Sequence, residues 1–257
     1  MASFSSVVGW LVLLAGVGLG LAGLRDGTSR LRVAMAVARS RRSEVRWLAD
    51  EEGLVQIRGV ARRHEDGLTG PVTGKPCLAY RYTVAERRRD SDTDDWTLLE
   101  RGGEHVPFHV EDESARVLVD PNGAALRLPV GDAVRVEPGQ SIESVRRDVL
   151  GGDPAARGFD SEWADVPADR ERRLTETRLV DGATVSVVGA SRYDPSVAEA
   201  AGEVNAVVSG ADAPIFVVSV GKQSTVLRNY AVRGLLTTLV SAGMLGYLGW
   251  IVATVAL

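Results

Sequence analysis

The stretch LTGPVTGKPCLAYRYTVAER, residues 68–87, places a run of Thr, Gly and Pro directly before a segment of alternating side chains. Gly and Pro shape turns, and an alternation with a period of two is typical of a half-buried strand. Cys77, the one cysteine of the chain, lies where the predicted turn passes into the predicted strand. Three roles are open to its thiol: a nucleophile, a metal ligand, or a small apolar group packed in a sheet.

Further short strands are predicted on both sides of this stretch. They cover residues 54–60, 77–84, 96–100, 106–110, 116–119, 124–128, 173–180, 184–188 and 215–220. Consecutive strands with few helices indicate an antiparallel, β-rich domain. Residues 140–172 interrupt the pattern with many Gly, Asp, Arg and Pro residues. We expect an exposed excursion there, with one short helix at residues 142–149.

The two ends of the chain are apolar. Residues 2–24 and 234–257 carry no charged side chain, and roughly 20 helical residues span a bilayer core of about 30 Å. No basic residue precedes Arg25, which disfavours a cleaved signal peptide. The sequence therefore predicts transmembrane helices at 5–24 and 234–256. The predicted fold class is α+β, with the β-rich antiparallel domain inserted between these helices.

Basic residues flank both predicted spans on the side of the central segment, from Arg25 to Arg42 and from Lys222 to Arg233. The positive-inside rule then predicts a multi-pass protein of the cell membrane whose central domain faces the cytoplasm. Residues 28–50 are predicted to form a juxtamembrane helical neck. The β-rich domain follows at 51–230 and contains the excursion at 140–172.

Glycines recur at helical spacing within both predicted spans. Gly16 and Gly20 have the small-xxx-small spacing that lets helices approach closely, and Gly243 and Gly246 lie three residues apart. They are candidates for packing the two helices against each other or against a second copy. The alternative is that glycine is simply common in membrane helices.

Four segments in a fixed order are similar to the GIDE-type, or beside-a-membrane, domain. They are VQIRGVA at 55–61, the opening stretch at 68–87, PFHVEDESARVLVDPNGA at 107–124 and DGATVSVVGAS at 181–191. The motif positions that carry the resemblance are Leu68, Thr69, Pro71, Gly74, Pro76, Cys77, Tyr80, Val119, Asp120, Pro121 and Gly123. The resemblance covers most of residues 43–233. It implies a domain held between two spans, as in mitochondrial membrane-anchored E3 ubiquitin ligases and shorter prokaryotic proteins.

In the ligases of that family, catalysis belongs to a RING module whose Cys and His side chains bind two zinc ions. One cysteine cannot supply such a ligand set, and it also excludes an intramolecular disulfide. Cys77 with His64, His105 and His109 would make four zinc ligands, but only His105 and His109 are close in sequence. We therefore predict no metal site and no cofactor.

Two further candidates for chemistry are weak. A nucleophilic cysteine needs a lowered pKa and access, whereas Cys77 follows Pro76 at a strand start, which favours packing. The segment DSDTDDWTLLER at 90–101 places Asp90, Asp92 and Asp94 at calcium-loop spacing. It has an Asp where that loop needs Gly and an Arg where it needs Glu. We read it as a hydrated hairpin tip.

These observations favour a non-catalytic scaffold or binding module. The formal net charge of −4 argues against nucleic acid as a partner. The expected partners are the lipid bilayer, a membrane-associated protein and a second copy of the chain, and no catalytic residue is predicted. The alternative is a component of an E3 ubiquitin-ligase-like system whose RING is supplied by another chain.

Overall fold

The computed structural model describes residues 16–28, 35, 42–88, 95–129, 131–149, 161–198, 200–221, 232 and 235–247. The chain divides into two compact units. One comprises Met1–Arg41 and Lys222–Leu257, and the other is Arg42–Gly221.

The described α-helices are α1 (residues 16–28), α2 (Ile142–Val149) and α3 (residues 235–247). No helix within the described ranges combines the length and the apolar character needed to cross a membrane.

This finding contradicts three linked predictions: the two transmembrane helices, the fold class with a domain inserted between them, and the multi-pass membrane location. The predicted spans at 5–24 and 234–256 include residues 5–15 and 248–256, which lie outside the described residues. The predicted helical neck at 28–50 is described only at residues 28, 35 and 42–50. There the chain forms a short 3-10 helix, Val45–Trp47.

Within the unit of the two chain ends, α1 and α3 are in contact through one of the predicted glycines. A Cβ atom built on Gly20 would lie 2.7 Å from Leu245 Cδ2, so the absent side chain makes room for that leucine. A Cβ atom built on Gly23 would likewise overlap the side chain of Ser241. Among the described residues, no atom lies within 4 Å of a Cβ atom built on Gly243 or Gly246.

Thirteen strands are described in the larger unit. They are β1 (Gly53–Arg63), β2 (Leu68–Thr69), β3 (Pro76–Cys77), β4 (Ala79–Arg87), β5 (Trp96–His105), β6 (Phe108–Glu111), β7 (Arg116–Val119), β8 (Ala125–Arg127), β9 (Asp132–Val136), β10 (Arg172–Leu179), β11 (Thr184–Tyr193), β12 (Glu203–Ser209) and β13 (Val217–Val220). The pairings are antiparallel except for β12 with β7 and β13 with β8, which are parallel.

Five of these strands close into a barrel. Their spatial order is β1-β6-β7-β12-β11, and β11 pairs back onto β1. The long first strand therefore pairs with both the second and the fourth strand of the barrel, and the third and fifth run parallel. This connectivity is that of an OB fold, a five-stranded Greek-key barrel. Strands β13 and β8 extend the sheet beyond β11.

A second sheet, in the order β5-β4-β10-β9, is built from two insertions into the barrel. Strands β4 and β5 are inserted between the first two barrel strands, whereas β9 and β10 come between the third and fourth. The pairing of β4 with β10, from Ala79↔Leu179 to Glu86↔Arg172, joins the two insertions into one sheet.

Each sheet has its own apolar core. Phe108, Ile57 and Leu48 are fully buried in the barrel core. The inner face of the second sheet packs Val84 and Leu174 against α2 and the segment 161–170, where Ala164 and Ala168 are buried. That segment lies in the predicted excursion, so part of the excursion covers a hydrophobic core.

Candidate functional site

The motif loop, residues 68–77, forms a small hairpin between the sheets. Leu68 pairs with Cys77 and Thr69 with Pro76. Gly74 has a φ of 66°, a conformation that glycine adopts without the strain other residues incur. The Gly and Pro positions of the motif therefore shape a tight turn.

The buried carboxylate of Glu176 accepts hydrogen bonds from this loop. Glu176 on β10 has no exposed surface. Its Oε2 accepts the backbone N–H of Val72 at 2.7 Å, and its Oε1 accepts the Thr73 hydroxyl at 2.5 Å. Arg178 Nε lies 3.1 Å from Oε1 and supplies the opposite charge. Buried charges need such partners, so this carboxylate serves the architecture of the loop.

The loop is also tied to helix α2. The buried Arg146 donates from its Nε to the carbonyl of Pro71 and pairs with Glu143 at 2.8 Å. Val72 between these contacts is buried in the core of the second sheet. The loop is thus fixed on two sides, by β10 and by α2.

The structure places Cys77 in the interior. It is 2% exposed and lies beside a cavity of about 310 Å³, which Arg63, Lys75 and Arg178 also line. Burial, with a smaller contribution from the nearby Glu176, raises the pKa of the thiol from 9.0 to about 11. A thiol with so high a pKa is protonated at neutral pH and is a poor nucleophile.

The second part of the motif, Val119 to Gly123, forms the turn between β7 and β8. Asp120 Oδ1 accepts the backbone N–H of Asn122 at 3.1 Å, and the N–H of Ala124 donates to the Pro121 carbonyl. Gly123 has a φ of 75°. These contacts close the turn on itself.

The remaining motif position, Tyr80, lies on β4 of the second sheet. Its hydroxyl donates to Glu104 at 3.1 Å, and burial raises its pKa to about 12. It is therefore a neutral hydrogen-bond donor at physiological pH.

Two of the three histidines meet. The rings of His64 and His109 lie edge to face with centroids 4.7 Å apart. His109 Nε2 is 3.6 Å from Glu203 Oε1, and the same oxygen is 2.9 Å from Arg116. Burial, followed by the proximity of His64, lowers the pKa of His109. Sequence reasoning did not predict this contact, because it joins the residue after β1 to a residue on β6 that is far away in sequence.

No metal-binding cluster of three or more His, Cys, Asp or Glu side chains is found among the described residues. His105 ends β5, and Cys77 lies in the motif hairpin. The acidic residues 90, 92 and 94 lie outside the described residues.

The outer face of the second sheet is open and rich in arginine. Because paired residues on neighbouring strands share a face, the register places one set of side chains opposite the apolar core. We call this set the arginine face. It consists of Arg81, Thr83, Ala85, Arg87, Trp96, Leu98, Arg101, Ala133, Arg135, Arg173, Thr175 and Thr177.

Charge and exposure distinguish this surface. Arg81, Arg87, Arg101 and Arg135 are exposed, and Leu98 is 52% exposed. Opposite charge comes from Glu171, which lies 3.2 Å from Arg87 and 3.3 Å from Arg135. The arginine face is therefore a positive surface on a chain of net charge −4.

One row of the arginine face crosses all four strands. Arg173 pairs with Arg135 on one side and with Ala85 on the other, and Ala85 pairs with Leu98. The guanidinium carbon of Arg173 lies 4.4 Å from the centre of the Trp96 ring. The row thus runs from two cations, over a small residue, to an exposed apolar side chain.

No family model, curated protein or solved structure matches this chain. The comparisons therefore give no support to the predicted relation to E3 ubiquitin ligases or to the assignment of a GIDE-type domain. The function of this chain is therefore inferred from its own residues and not from the resemblance.

Proposed function

We propose that this chain is a non-catalytic binding module and that the arginine face is its binding surface. The observation that carries the proposal is a division of roles among polar side chains. In the described part of the chain, Cys77, His109 and Glu176 are turned to the interior, whereas charged and apolar groups share the open arginine face. Fold alone does not assign a function, so the argument rests on this surface.

The chemistry of the buried groups supports a role without catalysis. A nucleophile or general base has to reach a substrate. Glu176 is occupied by the motif loop, and the Cys77 thiol carries its proton at neutral pH. Their contacts stabilise the fold that presents the sheet.

A photo-crosslinking experiment in the source cells tests the proposal. Benzoylphenylalanine is introduced at Thr175, in the middle of the arginine face, and for comparison at the exposed Asn122 in the turn before β8. We expect a covalent adduct of discrete mass from position 175 alone. The adduct is lost when Arg101→Glu and Arg135→Glu are combined, and it persists with Cys77→Ser.

Equal adducts from both positions, or an adduct that the two arginine substitutions leave unchanged, would show that the binding surface lies elsewhere. Loss of the adduct with Cys77→Ser, in a chain whose circular dichroism is unchanged, would return the thiol to consideration as a functional group.

A further inference from the structure

We infer that the ligand of the arginine face is an acidic, extended peptide segment. Its recognition pattern is two carboxylate side chains two residues apart, with an apolar side chain two residues further on. This inference rests on the function proposed above, because it names the partner chemistry of the same surface. Four observations carry it.

The first is that the arginine face already holds a carboxylate of its own chain. Glu171 bridges Arg87 on β4 and Arg135 on β9 at 3.2 and 3.3 Å. The two arginines belong to strands on either side of β10. A carboxylate placed over the sheet can therefore be shared by arginines of different strands, which is the contact that an acidic ligand would repeat.

The second is that one arginine is held in place before any ligand arrives. Arg173 on β10 stacks on Trp96 on β5. The strand between them, β4, contributes only the small Ala85 at this point. Stacking uses the flat side of a guanidinium and leaves its N–H groups directed outward in the plane. A restrained side chain loses less entropy on binding, so Arg173 is suited to bind a carboxylate through two parallel hydrogen bonds.

The third is the spacing along the row Arg135, Arg173, Ala85 and Leu98. Neighbouring strands are about 4.8 Å apart, so Leu98 lies two strand spacings, or roughly 10 Å, from Arg173. An extended peptide covers about 3.3 Å per residue. Successive side chains of such a peptide point to opposite faces, so those directed at the sheet are two residues, or roughly 6.6 Å, apart. Side chains at positions i, i+2 and i+4 then span roughly 13 Å, close to the roughly 14 Å of three strand spacings between Arg135 and Leu98. The carboxylates at i and i+2 lie above Arg135 and Arg173, and the apolar side chain at i+4 lies above Leu98.

The fourth distinguishes an acidic peptide from a nucleic acid. Single strands are bound by stacking their bases on open aromatic rings. On the arginine face, one side of the Trp96 ring is taken by Arg173. The apolar group of the row is the aliphatic Leu98, which suits an aliphatic side chain. The net charge of −4 also opposes binding of a long polyanion.

The test uses the purified full chain and a fluorescein-labelled peptide, Gly-Ser-Glu-Ser-Glu-Ser-Leu-Ser-Gly, measured by fluorescence anisotropy. Two control peptides replace both Glu by Gln, or Leu by Ser. A labelled single-stranded oligonucleotide is measured in parallel. The protein variants are Arg173→Gln and Arg135→Gln, with Arg127→Gln as the matched control. Arg127 is exposed on β8, outside the arginine face, and its loss changes the net charge equally.

We expect Arg173→Gln to weaken the acidic peptide about tenfold and Arg135→Gln about fivefold. Arg127→Gln leaves binding within about twofold. The Gln peptide does not bind measurably, and the Ser peptide binds several-fold more weakly. Since Arg135 is exposed and its removal leaves the core intact, this variant keeps the test decisive if Arg173→Gln impairs folding.

Three outcomes overturn the inference: no binding of the acidic peptide to the unaltered protein, equal affinity for Arg135→Gln and Arg127→Gln, or tighter binding of the oligonucleotide than of the peptide. In each case the crosslink from Thr175 separates the two proposals. If the crosslink persists, the binding module stands with another ligand, and if it is also absent, the proposed function fails as well.

Discussion

The carboxylate of Glu176 accepts the backbone N–H of Val72 at 2.7 Å, joining a turn early in the chain to a strand formed 104 residues later. The second sheet places the two together, because β10 runs beneath the motif loop. A conspicuous sequence motif is thereby explained by a buried contact that gives the loop its shape. The contact also makes a first prediction about stability.

Replacing Glu176 by Ala should destabilise the protein by about 3–5 kcal/mol, because it leaves the buried backbone N–H of Val72 without its acceptor and removes one of the two carboxylates that pair with Arg178. Urea unfolding followed by circular dichroism measures the change. Glu113→Gln is the control, since Glu113 is exposed in the turn after β6. Unchanged unfolding of Glu176→Ala would mean that the loop does not depend on this carboxylate.

Cys77 should react slowly with thiol reagents in the folded protein. Its pKa of about 11, against 9.0 for an ordinary thiol, lowers the thiolate fraction at pH 8 by about a hundredfold. Burial adds a barrier to access. Reaction with a chromogenic disulfide at pH 8, compared between native protein and protein in concentrated urea, measures both effects. Equally fast reaction in the two conditions would contradict the buried placement.

His109 should make stability depend on pH. Its pKa is lowered from 6.5 in the folded protein, so below pH 6.5 the unfolded chain binds a proton that the folded one does not. The free energy of unfolding then decreases as the pH falls from 6.5 towards that lowered value. Charged and titratable neighbours are His64, Glu203, Arg116 and Glu111.

The comparison that isolates this effect is His109→Gln against His105→Gln, each unfolded by urea at a series of pH values. His109→Gln should reduce the loss of stability below pH 6.5, whereas His105→Gln should keep the dependence of the unaltered protein. Parallel curves for both variants would assign the pH dependence to other groups.

Gly59 should not tolerate a side chain. It lies in β1 where the strand passes from its pairing with β11 to its pairing with β6, and an added Cβ would overlap the backbone carbonyl of Glu111. We expect Gly59→Ala to cost about 1–3 kcal/mol by overpacking. In α1, a Cβ atom on Gly18 meets no atom of the described residues within 4 Å, so Gly18→Ala should leave stability unchanged or raise it. Thermal unfolding of the two variants checks both.

Local patterns in the sequence predicted several elements closely. The strand at 116–119 and the helix at 142–149 are confirmed as β7 and α2, since each has its own period and flanking turns. Strands β9 and β12 were not predicted. Strand β9 is short, lies at a sheet edge and mixes Asp and Arg with Val, and β12 is interrupted by Asn205. These segments become strands through their pairing with neighbouring strands rather than through their local composition.

The transmembrane prediction was wrong for a related reason. An uncharged run establishes composition, whereas crossing a bilayer also requires a helix that is long and apolar enough, and no helix among the described residues is. The arginine face could not be predicted from the sequence either. Its row joins Arg135, Arg173, Ala85 and Leu98 from four strands, and only the pairing register reveals that they are neighbours.

The interleaving of the two sheets has a consequence for synthesis on the ribosome. Barrel closure needs β11 beside β1, and the second sheet needs β10 beside β4. The core of the second sheet is complete only once Leu174 has emerged, and the barrel core only once Val208 and Val218 have emerged. Such long-range pairing makes folding slow. A nascent chain stalled before residue 172 would expose the edge of β4 that pairs with β10, so premature termination should yield a target for chaperones and proteases.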